Sequence, residues 1–155
     1  MRSDVINKSS GSYGENNKKI ITWASGDLSL AAADSGSFVE MDTELGANAT
    51  ATLPTASTSL GVNFKFFYSA AHDANYARII KTQATGQFFE GCVLHHDSSA
   101  ANVTNDIQAD GDSNFILTIN DDVEPGSFVE VVCNGKYWLV SGVITATAAP
   151  AFSDS

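Results

Sequence analysis

The chain has 155 residues, 43% of them hydrophobic and 17% charged, with a formal net charge of −10. This length suits one domain with enough apolar residues for a core, and the many Ser, Thr, Ala, Asn and Gly residues favour an all-β protein over a helical bundle. The acidic balance disfavours nucleic acid and anionic membrane as partners, and no apolar run predicts a transmembrane helix or a secretory signal peptide.

Residues 1–18 are polar and rich in Ser, Gly and Asn, and we expect them to form an extended N-terminal arm. Residues 1–19 hold four cations and two acids, a net charge of +2, so the remaining residues carry −12. A basic arm on an acidic body is typical of a docking segment, with a solvated tail as the alternative. The candidate docking residues are the basic and apolar side chains of this segment: Arg2, Val5, Ile6, Lys8, Tyr13, Lys18 and Lys19.

The body, residues 19–147, reads as about nine or ten short strands separated by turn residues. The strand candidates before the last two are 19–24, 38–41, 48–53, 62–68, 77–82, 87–94, 107–109 and 115–119, and residues 28–30 follow a turn at Gly26-Asp27. Residues 31–36 are predicted to form a short helical turn or a loop, residues 102–106 a loop, and residues 148–155 a C-terminal tail. The strongest strand places four apolar side chains on one face: Val62, Phe64, Phe66 and Tyr68. This spacing predicts a jelly-roll-like sandwich or a small barrel.

The last two strands are predicted to form a hairpin within residues 125–142, because Asn134-Gly135 suits a two-residue type I′ turn. A turn that closes there pairs Val131 with Trp138. Alternation along the two strands then predicts one apolar core face, made of Val129, Val131, Cys133, Trp138 and Val140. We therefore expect Trp138 to be a core residue and the last strand to continue into residues 143–147.

The candidate metal ligands form no recognised pattern. His95-His96-Asp97 is the only histidine cluster, and its two histidines point to opposite faces if they lie on a strand, so they share a metal only in a loop. Residues 110–114, Asp-Gly-Asp-Ser-Asn, resemble the start of a calcium loop, but Phe115 stands where glycine is required. We expect a turn in which the Asp and Asn side chains bond their own backbone, with another kind of calcium site as the alternative.

The sequence predicts neither an enzyme nor a cofactor. Cys92 lies three residues from His95, but nothing marks an orienting group or an oxyanion hole, and no glycine-rich phosphate loop precedes a helix. Two cysteines make no disulfide framework, so Cys92 and Cys133 are interpreted as buried free thiols. Core packing or subunit contact is the commoner role of the aromatic candidates for a sugar platform, which are Trp23, Tyr76 and Tyr137.

Three stretches towards the C-terminus resemble a known family. Residues 109–120 read Ala-Asp-Gly-Asp-Ser-Asn-Phe-Ile-Leu-Thr-Ile-Asn, followed by Pro-Gly-Ser-Phe-Val-Glu-Val-Val-Cys at 125–133 and Trp-Leu-Val-Ser-Gly at 138–142. They resemble small β-rich virion proteins of tailed bacteriophages, in which a D-G-x-N turn and an I-x-L/I-N strand precede G-x-x-V-E-L and W-x-V-x-G strands. Residues 31–36 and 51–54 are similar to earlier landmarks of that family, so the resemblance spans roughly residues 28–153.

The resemblance implies a capsid decoration, or cement, protein without enzymatic activity. Such a protein is expected to be a homotrimer that binds the major capsid protein on the exterior of the head, after assembly in the host cytoplasm, and stabilises the head across subunit seams. In this interpretation the N-terminal arm contacts the capsid. The alternative is a tail-fibre protein or another receptor-binding or glycan-binding β module of a phage.

Overall fold

The computed structural model describes residues 19–42, 45–72, 76–84, 86–100, 103–120 and 122–155. Within these ranges the protein is all-β, as predicted, with twelve strands and two single-turn 3₁₀ helices, Ala32–Asp34 and Ala56–Thr58. The strands are β1 (Ile20–Thr22), β2 (Leu28–Ser29), β3 (Ser37–Met41), β4 (Ala49–Thr52), β5 (Asn63–Tyr68), β6 (Arg78–Lys81), β7 (Phe89–Asp97), β8 (Thr104–Asp110), β9 (Ile116–Ile119), β10 (Phe128–Cys133), β11 (Trp138–Ala146) and β12 (Ala151–Ser153).

Two mixed sheets pack face to face as a β-sandwich. The larger sheet has the strand order β1-β3-β5-β10-β11-β7-β8, and the smaller one has the order β12-β9-β6-β4-β2. Neither sheet closes into a barrel in the part of the chain that the structure describes. The sandwich alternative of the sequence prediction is therefore confirmed.

The first six strands alternate between the two sheets, which gives parallel neighbours. β1, β3 and β5 lie side by side and parallel in the larger sheet, and β2, β4 and β6 do so in the smaller one. Between two neighbouring strands of one sheet, the chain passes through a strand of the other sheet. It therefore enters the first sheet again in the same direction, which makes the two neighbours parallel. Later strands pair mainly as antiparallel neighbours. The parallel pairs distinguish these sheets from the antiparallel sheets of a jelly roll.

The core lies between the sheets and follows the predicted alternation. The four alternate residues of the β5 segment, Val62, Phe64, Phe66 and Tyr68, are all buried, as expected. Trp138 is also buried, and its ring stacks on Phe64 with the centroids 6.2 Å apart. Each fully buried large apolar side chain stabilises the fold by about 1.5–3 kcal/mol relative to an exposed one.

The hairpin of β10 and β11 forms with a register two residues away from the predicted one. Cys133 pairs with Trp138 and Val131 pairs with Val140, so the predicted pairing of Val131 with Trp138 is wrong. The turn is not type I′, because only Gly135 has a positive φ, at 90°. Instead the Asn134 side-chain oxygen accepts hydrogen bonds from the backbone N–H groups of the two residues after Gly135, at 2.9 and 2.7 Å. A shift of two residues keeps every side chain on its predicted face.

The largest differences from the predicted strands are three. β7 continues through Asp97, β8 begins at Thr104 within the expected loop, and the predicted tail contains β12. β12 is three residues long, and its Phe152 packs against Phe89 with the ring centroids 5.8 Å apart. β8 has little apolar alternation because it is an edge strand with one solvent-exposed face, so its sequence resembles that of a loop.

Candidate docking face of the seven-stranded sheet

Four apolar side chains form a line across the outer face of the seven-stranded sheet. The register places Phe67 of β5 beside Phe128 of β10. Val143 of β11 follows Phe128, and Leu94 of β7 follows Val143. Leu94 is 38% exposed and Val143 is 36% exposed, and the two phenylalanines are half-buried. We call these four side chains the apolar row, and contiguous exposed apolar side chains of this kind mark interaction sites.

A groove opens at the β3 end of the apolar row. It has a volume of about 360 Å³ and is lined by Phe38, Lys65, Phe67, Gly126 and Phe128. The Phe38 and Phe67 rings meet edge to face with centroids 5.9 Å apart. The Lys65 ammonium lies 4.1 Å from the centroid of the Phe128 ring, as in a cation–π contact. The groove therefore has aromatic walls and one cationic wall, which suits an apolar side chain of a partner.

A polar row runs beside the apolar row on the same face. Lys65 lies opposite Glu130, Glu130 opposite Ser141, and Ser141 beside Cys92. Beyond this polar row lies a smaller apolar patch, consisting of the adjacent pair Val132 and Leu139, which are 40% and 41% exposed. The polar row therefore separates two apolar areas of the face and borders each of them on one side, as polar groups border the apolar part of protein interfaces.

The outer face of the five-stranded sheet has a different character. Its positions in β4, β6 and β9 place Thr50 beside Ile79 and Ile79 beside Thr118. The isoleucine is half-buried between two threonines, so no apolar row forms on this face. The two faces therefore differ in the way expected if only the seven-stranded sheet docks on a partner.

Most of the predicted arm residues lie outside the described part of the chain: Arg2, Val5, Ile6, Lys8, Tyr13 and Lys18. Lys19 is described, and its ammonium donates a hydrogen bond to the Asp34 carboxylate at 2.5 Å. This hydrogen bond from Lys19 is the main cause that lowers the pKa of Asp34. Lys19 is therefore held on the body at the edge of the seven-stranded sheet.

The histidine cluster is divided between the two faces of β7. His95 is buried and its Nε2 lies 2.9 Å from the Ala146 carbonyl oxygen, whereas His96 is exposed. Cys92 is exposed on the outer face, so it does not face His95, and the prediction that this thiol is buried is wrong. Both cysteines are free, as predicted, and Cys133 is buried. In the ranges that the structure describes, no three His, Cys, Asp or Glu side chains are placed to share a metal.

The Asp-Gly-Asp-Ser-Asn segment is a self-bonded turn, as predicted. The Asp110 carboxylate accepts hydrogen bonds from the backbone N–H groups of Asp112, Ser113 and Asn114 at 3.2, 3.0 and 3.0 Å. The Ser113 hydroxyl also donates to this carboxylate at 2.7 Å, and it is the largest cause of the strongly lowered pKa of Asp110. The carboxylate is therefore engaged by the turn itself.

One aromatic candidate for a sugar platform belongs to the core. Trp23 is 2% exposed, and its indole N–H donates to the Gly26 carbonyl at 2.8 Å. Tyr76 is 42% exposed, and Tyr137 is half-buried beneath the Lys136 ammonium, which lies 4.4 Å from the ring centroid. Trp23 thus has the core-packing role that was expected to be the commoner one, and the candidate sugar platform lacks its largest ring.

Sequence reasoning missed a buried polar group beside Trp23. Arg78 is 1% exposed, and its guanidinium donates to the Trp23 carbonyl at 2.6 Å. Burial lowers the pKa of Arg78, while the neighbouring Tyr68 and Asp42 oppose that effect. The available signal was alternation, because Arg78 shares its face with the buried Ile80.

The apolar row was missed as well, although the sequence carries a signal for it. In Phe66-Phe67 two neighbouring apolar residues lie on one strand, so one of them must point to each face. Phe66 is buried and Phe67 belongs to the outer face. An apolar doublet on a strand thus indicates that the second face also contacts something.

No protein-family model, curated protein or solved structure matches this chain. The helical segments within the described ranges are too short and too polar to cross a bilayer. The geometry of the outer face and the motifs of the sequence are therefore the basis for a functional proposal.

Proposed function

We propose that this protein is a structural virion protein that binds the exterior of a bacteriophage capsid as a decoration protein, without enzymatic activity. The observation that carries the proposal is the apolar row on a seven-stranded sheet, joined to the resemblance of the strand motifs to phage virion proteins. The partner is the major capsid protein. The protein assembles in the host cytoplasm, forms a homotrimer and resides on the outside of the head.

The sheet is suited to docking because its backbone and side chains are already held in place. Neighbouring strands hold every member of the apolar row on both sides, so little conformational freedom is lost on binding. The side chains of Leu94 and Val143 are 38% and 36% exposed, and a partner can bury this remaining surface. Burial contributes about 25 cal/mol per Å² of apolar surface.

Decoration stabilises a capsid by mass action. A protein that binds the assembled shell but not its dissociated subunits shifts the equilibrium towards the shell. The apolar row supplies adhesion, and the polar row with Lys65 and Glu130 restricts the orientation of the docked protein. A rigid face that spans a seam between two capsid subunits resists their separation.

The glycan-binding alternative has weaker support, because Trp23 is in the core and is not available to stack on a sugar ring. A tail-fibre module would also be present in few copies per particle. The outer-face groove with Phe38 and Phe67 is the remaining aromatic surface on the seven-stranded sheet that this alternative would use.

Co-sedimentation with undecorated heads tests the docking face. In the double variant Leu94→Gln/Val143→Gln, the loss of about 1 kcal/mol at each position should weaken binding about 30-fold. The matched control is Ile79→Gln on the outer face of the five-stranded sheet, which should bind like the unsubstituted protein. Circular dichroism should show the same fold for all three proteins. Equal binding by the double variant, or equal weakening by the control, would contradict the proposed face.

A further inference from the structure

The longest exposed strand edge in the described ranges is that of β8. The larger sheet ends in β1 and β8, and the smaller sheet ends in β12 and β2. β8 has seven residues, whereas each of the other three edge strands has three or fewer. An edge strand presents unpaired backbone donors and acceptors, which can pair with another strand.

The register identifies which backbone groups of β8 face solvent. The N–H of Asp97 in β7 donates to the Val103 carbonyl at 3.0 Å, just before β8 begins. In an antiparallel pair such hydrogen bonds recur at every second residue. The backbone N–H and C=O groups of residues 105, 107 and 109 therefore point towards β7. The N–H and C=O groups of Thr104, Asp106 and Gln108 consequently point away from the sheet. These groups can pair with one further strand.

The environment of this edge is acidic. Residues 82–135 contain nine Asp and Glu residues and neither Lys nor Arg. Asp106 is exposed on the edge strand itself, and Asp110 at the end of β8 pairs with Glu90 of β7. An extended segment that adds to β8 should therefore be basic.

The chain contains such a segment. Residues 1–18 hold three cations and two acids, a net charge of +1, and the apolar side chains Val5, Ile6 and Tyr13 are spread along them. This segment leads into β1, which is the opposite edge of the sheet that ends in β8. We propose that residues 1–18 of one copy add as a strand to the β8 edge of a second copy.

Chain geometry favours a second copy over the same copy. The two edges are separated by six strand spacings, about 29 Å at roughly 4.8 Å each. Eighteen residues reach at most about 60 Å when extended, and an arm that returned to its own β8 would use about half of that length to cross a sheet face. A neighbour placed against the β1 edge receives the arm directly. In this arrangement the β1 edge of one copy meets the β8 edge of the next, which is a head-to-tail contact. Head-to-tail contacts close into a ring when the rotation between neighbouring copies permits it.

Sedimentation velocity of the full-length protein in the absence of capsids tests this inference separately from the capsid proposal. We expect the unsubstituted protein to form a closed oligomer. Gln108→Pro removes an N–H that faces solvent and leaves the bonds to β7 intact, so it should raise the dissociation constant at least tenfold. A monomeric unsubstituted protein at micromolar concentrations, or an oligomer unaffected by Gln108→Pro, would overturn the proposal.

Charge reversal provides a second test that does not depend on proline being tolerated. Asp106→Lys should weaken assembly, and so should the triple change Arg2→Glu, Lys8→Glu and Lys18→Glu in the arm. Raising the salt concentration should weaken assembly of the unsubstituted protein and improve that of the triple variant, because screening reduces attraction in the first and repulsion in the second. The control Asp154→Lys has the same charge change at an exposed site near the C-terminus and should assemble normally. Assembly of the triple variant at the level of the unsubstituted protein, or a loss as large for Asp154→Lys as for Asp106→Lys, would contradict pairing of the arm with β8.

Discussion

Replacing Trp138 by alanine tests the packing of the buried face of the seven-stranded sheet. Trp138 is 0% exposed, and its ring stacks on Phe64 with the centroids 6.2 Å apart. Removing a buried tryptophan loses its transfer free energy and leaves a cavity, which together cost about 3–5 kcal/mol. In a domain of this size each kcal/mol lowers Tm by about 2–4 °C, so Tm should fall by roughly 6–20 °C.

Urea unfolding followed by far-UV circular dichroism measures this loss, with an unchanged m-value as the condition for comparison. Leu139→Ala is the matched control, because the next residue in β11 points outward and is 41% exposed. It should cost less than about 1 kcal/mol. Trp138→Phe should cost less than half as much as Trp138→Ala, since the indole N–H has no hydrogen-bond partner in the described residues. A loss below about 1 kcal/mol for Trp138→Ala would show that this side chain is not packed in the core.

Three further predictions concern pH, backbone contact and thiol reactivity. Burial lowers the pKa of His72, an effect that Arg78 strengthens and that the Met41 carbonyl and Asp42 oppose. The unfolded chain therefore binds more protons than the folded protein, so the free energy of unfolding should fall as pH drops below about 6.5. Urea titrations at two pH values should show a smaller fall for His72→Gln, and an equal fall would contradict this. Gly142→Ala should destabilise the fold by about 1–3 kcal/mol in the same assay, because a Cβ there would lie 2.3 Å from the Phe128 carbonyl oxygen; an unchanged midpoint would argue against that close approach. A thiol reagent should modify Cys92 in the native protein and Cys133 only after unfolding, and two fast native thiols would show that Cys133 is not buried.

The buried faces of the strands were predictable because they depend on local alternation. Val62, Phe64 and Phe66 follow a period of two, and their burial follows from that pattern alone. The hairpin shows the same principle, since its register is shifted by two residues and Trp138 still points into the core. A register shift of two residues leaves each side chain on the same face of the sheet, but it changes which residues pair across the hairpin.

The pairing of strands was not predictable, because it depends on contacts between distant segments. No local pattern shows that β1 lies parallel to β3 or that β7 lies parallel to β11. The apolar row has the same origin, because its members come from four strands that become neighbours only in the folded sheet. Arg78 was missed for a related reason, since its partner Trp23 lies 55 residues away in the chain.

Under the proposed function, the protein covers the outside of a phage capsid. Quantitative mass spectrometry of purified particles of a phage whose genome carries this coding sequence tests the proposal, with the major capsid protein as the internal standard. We expect hundreds of copies per particle, in a fixed ratio to the major capsid protein and released from the head without loss of the tail. A handful of copies that fractionate with the tail, or none in the particle, would contradict it.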